Sequence, residues 1–272
     1  MSSHPAVSIN RSETFRMKSN HVGDEFQIMV RLPFTYALAP EQKFPTLYVT
    51  DGDDAIALLS GILHMGLLDQ ALPEMILVAI GYGADATSPD NKRSRDLPPT
   101  QAKYLEIPGT PLSGQVMGGG GPNFLRFIQD KLIPHIESNY RADPSDRAYG
   151  GISWGGVFGL YALFNHPGIF RRYMIGSPAL WWDDRISLKY EQEYAQSHND
   201  LSARLYLSVG ADEEAPFPSA RMVSNVHELA GQLKSRNYPS LHFKAVEEEG
   251  GHTTSQPAAY MKGLKYIFAK DE

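Results

Sequence analysis

Residues 147–166 read RAYGGISWGGVFGLYALFNH. Ala148 and Tyr149 end an apolar strand, GGVFGLYALFNH (155–166) reads as a small-residue helix, and Ser153 stands between them with glycines on both sides. Glycine at this density costs backbone entropy, so the local geometry must require it. A sharp strand–turn–helix connection does. The serine takes a positive φ, and the residues two before and two after it pass so close to neighbouring backbone that a Cβ would collide. Such a turn lifts the hydroxyl clear of its surroundings, where a base can reach it. The helix N-terminus adds a partial positive charge beside it. Gly156 and Gly159 would let the helix pack closely on a sheet. The plain alternative is a glycine-rich turn whose serine only caps a helix; partners for the hydroxyl decide between the two.

Upstream, TFRMKS (14–19) and EFQIMVRLP (25–33) alternate apolar and polar residues, as half-buried strands do. TLYVTDG (46–52) and MILVAIGYG (75–83) read as buried strands around a helix, DAIALLSGILHMGLL (54–68). The segment 84–121 is rich in Gly, Pro, Ser and charge, without periodicity, and a loop of that length is usually functional or disordered. An amphipathic helix follows over 122–140, in which Pro134 is expected to bend or split the run. Downstream come the strands RRYMIGS (171–177), RLYLSVG (204–210) and LHFKAV (241–246), and helices over about 219–236 and 256–269. Two antiparallel strands followed by alternating β and α elements predict a mostly parallel sheet of about eight strands with helices on both faces. No repeat or linker divides the chain, so residues 1–272 are expected to form one domain, with 84–121 lying over the active site.

The 272 residues are 42% hydrophobic and carry 25 Lys+Arg against 31 Asp+Glu, a formal net charge of −6. Without basic clusters this is a poor nucleic-acid or anionic-membrane binder. Cysteine is absent, which removes disulfides, thiolate metal sites and a cysteine nucleophile. No stretch reaches a membrane-spanning length, and the N-terminus has no signal-peptide pattern. A cytoplasmic location is expected. DGDD (51–54) lacks the spaced ligands of a metal loop and reads as a β–α turn. GGGG (118–121) lacks the G-K-[ST] of a phosphate loop and reads as a mobile loop end. No metal and no cofactor are expected.

The partners of an elbow serine follow it in the order acid, then histidine. His227 sits in a helix pattern and His242 in a strand. His252 lies in the loop EEEGGHTTS, at the carboxyl end of a strand, where a base can swing over the serine. The acid belongs just past RLYLSVG, where Asp212, Glu213 and Glu214 are adjacent and spacing alone does not choose among them. Its task is to fix the tautomer of His252 and stabilise the imidazolium.

With those residues placed, the chain resembles the putative esterase family of α/β-hydrolases. That group includes esterase D-like enzymes, siderophore trilactone esterases, feruloyl esterases and mycolyl transferases. The resemblance runs from about Thr14 to Phe268 and is carried by FPTLYVTDGDD (44–54), RSRDLPPT (93–100), the stretch 124–170, SPALWW (177–182) and EEGGHTT (248–254). It implies the α/β-hydrolase fold. It also implies that Glu213, three residues after the glycine ending its strand, is the acid, with Asp212 as runner-up. The oxyanion hole would use the N–H groups of Trp154 and of Asp53 rather than Gly52. One departure is that Pro98 and Pro99 follow Asp96 and Leu97 where the family often has a threonine before its proline.

The resulting expectation is a metal-free serine carboxylesterase acting on a small-molecule ester through an acyl-enzyme. Trp181, Trp182 and Tyr82 would wall the pocket, alongside Gly52 and Arg93. A trilactone siderophore esterase is the rival within the same chemistry, with Arg93 and Arg95 as the cations for catecholates. An acyltransferase, and a binding module without turnover, are the further alternatives. A homodimer stays open.

Overall fold

The computed structural model describes residues 7–83, 89–106 and 112–269. The parts of the 84–121 segment at 84–88 and 107–111 lie outside the described residues. In chain order the strands are β1 (Ser12–Ser19), β2 (Asp24–Arg31), β3 (Phe44–Val49), β4 (Ile76–Gly81), β5 (Gln101–Lys103), β6 (Val116–Gly118), β7 (Ala142–Ile152), β8 (Arg172–Gly176), β9 (Ala203–Gly210) and β10 (Leu241–Glu248). The helices are α1 (Gly52–Leu68), α2 (Pro89–Asp96), α3 (Gly121–Phe127), α4 (Ile133–Asn139), α5 (Trp154–Asn165), α6 (Trp182–Ser197), α7 (Met222–Arg236) and α8 (Gln256–Ile267).

Eight strands form one sheet in the order β1-β2-β4-β3-β7-β8-β9-β10. β1 pairs antiparallel with β2 and β2 with β4; every other neighbour is parallel. This is the mostly parallel sheet that the β–α alternation predicts, in the α/β-hydrolase-like arrangement that the family resemblance implies. Because side chains alternate across a strand, each central strand feeds two cores. Tyr48, Val78, Tyr149 and Leu205 pack under α3–α7 on one face. Leu47, Leu77, Ala148 and Tyr206 pack with α1 and α8 on the other. With both faces covered, the parallel strands read as continuous apolar runs.

After β3 the chain steps to β4 on one side, and after β7 it steps to β8 on the other. The carboxyl ends of β3 and β7 therefore flank the crevice where an open α/β sheet takes its ligand. Asp53 follows the first of these strands and Ser153 the second.

Three elements differ from the sequence reading. The expected helix over 122–140 is α3 and α4 joined by a π-helical turn, Ile128–Leu132. There the Ile133 N–H reaches back to the Ile128 carbonyl, immediately before Pro134, which has no N–H to give. The segment 84–121 holds α2 and the β5–β6 hairpin. Its GGGG is a packing surface and not a free loop end: a Cβ on Gly120 would lie 2.5 Å from the Arg95 carbonyl oxygen. α6 is not foreshadowed by any periodicity; Asp183, Asp184 and Arg185 open it with φ of 45°, 50° and 62°. Among the described residues no helix is long and apolar enough to cross a membrane.

Candidate active site

Ser153 sits between β7 and α5 at φ 59°, ψ −118°. Its N–H donates to the Gly176 carbonyl (3.0 Å), and its own carbonyl accepts from Val157 (3.1 Å) and Ala179 (3.2 Å). The glycine pattern has the steric cause inferred from sequence. A Cβ on Gly151 would come within 2.5 Å of the Tyr149 hydroxyl, and one on Gly155 within 2.5 Å of Thr50 Oγ1. Beneath the turn, the Tyr149 hydroxyl donates to the Gly155 carbonyl (2.7 Å) and lies 3.1 Å from Thr50 Oγ1. Those two buttresses carried no signal in the sequence beyond their place at strand ends.

Of the three adjacent acids, Glu213 faces the imidazole: its Oε2 is 2.6 Å from His252 Nδ1. Glu214 instead binds the Ser224 N–H and hydroxyl at the start of α7. The second oxygen of Glu213 accepts from Ser177 Oγ (2.5 Å) and from the Gly210 N–H (2.6 Å). Burial works to raise this carboxyl. The hydrogen bonds from His252 and Ser177, the charge of His252 and the Gly210 N–H together outweigh it and hold the group below its ordinary value. Ser177, itself at φ 40° and buried, is a site residue that sequence reasoning missed. A lone serine ahead of a proline has no pattern to announce it.

The Glu213 side chain is 2% exposed and that of His252 41% exposed, so the imidazole is oriented from below and open to the cleft. With Nδ1 facing the carboxylate, Nε2 is the nitrogen left for a proton. Ser153 and His252 line the same two lobes of the cleft. No hydrogen bond joins them among the described residues. A hydrogen bond between a nucleophile and its base is often long before a substrate binds and tightens around it.

Two sets of backbone donors flank the serine. Trp154 N–H, the first of α5, has no backbone acceptor among the described residues, and neither have the N–H groups of Gly52 and Asp53 at the start of α1. Gly52 must be glycine, since a Cβ there would lie 2.7 Å from the Ile80 nitrogen. The Asp53 carboxylate accepts from the N–H groups of Tyr82 (2.7 Å) and Gly83 (3.1 Å), which locks the α1 start onto the end of β4.

Among the expected wall residues, Tyr82 lines the lobe that holds Asp51, Asp53 and Asp54, of about 310 Å³. Trp181 lines the apolar lobe, of about 440 Å³. There it meets Tyr104 edge to face at 5.0 Å. Three expectations are corrected. Trp182 is fully buried, its Nε1 donating to Thr100 (3.3 Å), so it is core and not wall. Arg95 points away from the cleft into an ion pair with Asp96 (2.6 Å) and Asp24 (3.0 Å). Gly52 lines neither lobe with its own surface. Arg93 does line both, but it is held by Asp51 through two bonds of 2.6 and 2.9 Å and lies over the Trp154 ring at 5.2 Å.

A family model for "Putative esterase" matches residues 19–260. The ferri-bacillibactin esterase BesA of Bacillus subtilis strain 168 is 25% identical over 273 residues, covering 98% of this chain and 92% of its own length. The crystal structure of the BES protein from Bacillus cereus superposes with a TM-score of 0.85 at 27% identity, covering 99% of this chain and 100% of that one. The siderophore hydrolase EstB from Aspergillus nidulans shares the fold with a TM-score of 0.80 at 24% identity, over 97% and 98% of the two chains.

Proposed function

Because the chain belongs to the putative esterase family and is thereby a hydrolase of ester bonds, we propose that it is a serine esterase that opens the ester bonds of a siderophore. Ser153 is the nucleophile, His252 the base and Glu213 the acid that orients it. The observation that carries this reading is the buried Glu213 carboxylate 2.6 Å from His252 Nδ1, below a cleft that the imidazole shares with a hydroxyl on a strained, glycine-flanked turn. The siderophore as substrate rests on the full-length likeness to BesA and replaces a simple acyl ester as the first choice.

In the reaction, the Ser153 oxygen attacks the ester carbonyl carbon while Nε2 of His252 takes its proton. The N–H groups of Trp154 and Asp53 receive the negative oxygen that forms, and each such donor lowers the barrier by about 3 kcal/mol. The intermediate collapses to an acyl-serine as the imidazolium returns its proton to the departing alkoxide. Water, deprotonated by the same imidazole, then releases the acid and restores Ser153.

Ser153→Ala, with an unchanged circular-dichroism spectrum, is expected to lose at least ~10³-fold in kcat on both an activated acyl ester and a siderophore ester. It should also escape labelling by a fluorophosphonate probe. Retained turnover would end the assignment of the nucleophile. Turnover of acyl esters without any siderophore ester would end the substrate reading alone.

A further inference from the structure

Five carboxylates line the two lobes around Ser153: Asp51, Asp53 and Asp54 on one side, Asp212 and Glu213 on the other. Among the described residues one guanidinium, Arg93, lines them as well, and Asp51 already pairs with it. The stretches of segment 84–121 outside the described residues, ADATS (84–88) and IPGTP (107–111), contain no lysine or arginine. The other cations of that segment are turned elsewhere: Lys92 to Asp24, Arg95 to Asp96 and Asp24, Lys103 to Glu106. Two helix N-termini reach the floor of the cleft, but each supplies only about half a positive charge. The field at the mouth is therefore negative. Asp54 and Asp212 are both exposed and make no side-chain hydrogen bond among the described residues, so their charges are left unneutralised. Beyond Ser153 the larger lobe is walled by Tyr104, Leu112, Trp154, Trp181, Phe217 and Met222.

We infer that this cleft selects uncharged esters and rejects anionic ones, with Asp54 and Asp212 as the residues that set the preference. The inference narrows the siderophore reading and rests on it for the natural substrate. Three hydroxamate anions around Fe(III) leave no net charge, whereas three catecholate dianions leave three negative charges. A neutral ferric trihydroxamate ester, or an iron-free ester, fits the apolar lobe and the charge. A ferric tricatecholate trilactone meets like charge at the mouth and an arginine already engaged.

The test uses matched pairs. 4-Nitrophenyl pentanoate and the 4-nitrophenyl monoester of glutaric acid differ by one carboxylate at the same chain length. At low ionic strength, after correction for their alkaline hydrolysis rates, kcat/KM should favour the neutral ester by at least ~10-fold, and 0.5 M NaCl should shrink the gap because the repulsion is screened. Asp54→Asn/Asp212→Asn should narrow the ratio by at least ~5-fold. Should that variant fail to fold, the salt dependence of the wild-type ratio decides. A ratio near one, or one indifferent to salt, overturns the inference. A ferric tricatecholate trilactone cleaved as fast as a neutral ferric trihydroxamate ester does so too. If the nitrophenyl pair behaves as stated and no siderophore ester is cleaved, charge selection stands and the siderophore reading falls.

Discussion

Held at φ 59°, Ser153 stores strain of about 1–3 kcal/mol, and a non-glycine residue stays there only when its surroundings over-determine it. Three backbone hydrogen bonds do so. Ser177 does for Glu213 what those bonds do for the serine. Ser177→Ala would leave one lone pair of a buried carboxylate unmet, and a hydrogen bond to a charged group is worth about 1.5–3 kcal/mol. We expect kcat to fall by at least ~10-fold with KM changed less than ~2-fold, because the hydroxyl acts through Glu213 and touches no substrate. Ser177→Thr, keeping the hydroxyl, should recover most of the loss; an alanine variant with wild-type kcat would remove Ser177 from the site. Glu213 also predicts an acid response. Its folded value is depressed, so its carboxylate contributes stability that is full above the ordinary glutamate value of about 4.3 and is lost as pH falls through the lower folded value. Glu213→Gln removes that component, so below about pH 4.5 its melting temperature should fall less steeply than that of the wild type. Parallel slopes would mean that the carboxylate is not held charged.

At the scale of elements, legibility followed the kind of constraint involved. The elbow was legible because a steric requirement fixes glycine at 151 and 155. Gly151→Ala tests it: the methyl would meet the Tyr149 hydroxyl at 2.5 Å. The expected result is at least ~2 kcal/mol of lost stability, or a displaced Ser153 with kcat down by about 100-fold, read by urea denaturation and ester hydrolysis. A variant normal in both would show that the close approach yields at no cost. The parallel strands were legible because burial on both faces leaves unbroken apolar runs. α6 was not. Its polar stretch SLKYEQEYAQS buries few residues, Leu188, Glu191 and Tyr194 among them, and the Glu191 charge is met by Arg236 at 2.8 Å from α7. That partner lies 45 positions away, beyond the reach of any local period. That Glu213, and not Asp212 or Glu214, faces His252 is likewise visible only in a tertiary contact, although family resemblance pointed to Glu213.

Over the whole molecule, the sheet separates what holds the chain together from the proposed catalytic groups. Ser153, Glu213 and His252 all leave carboxyl ends of the parallel strands β7, β9 and β10. The antiparallel end, β1-β2-β4, is covered by α3 through a cluster in which Phe127 stacks on Phe26 at 4.7 Å and Phe124 packs on Phe26 at 5.2 Å. Phe127 is fully buried and lines neither lobe of the cleft. Phe127→Ala removes its transfer energy and leaves a cavity among aromatic neighbours that cannot collapse, a loss of about 3–5 kcal/mol. For a chain of this length that lowers Tm by roughly 5–9 °C. At temperatures well below the new Tm, kcat/KM for an acyl ester should remain within ~2-fold of wild type, because cavities at distant sites add independently of the catalytic groups. Calorimetry and ester hydrolysis on the same preparation separate the two readouts. A catalytic loss as large as the stability loss would show that the aromatic cluster and the crevice form one mechanical unit, coupled through Tyr82, whose ring lies 5.6 Å from Phe26 and whose N–H is held by the Asp53 carboxylate.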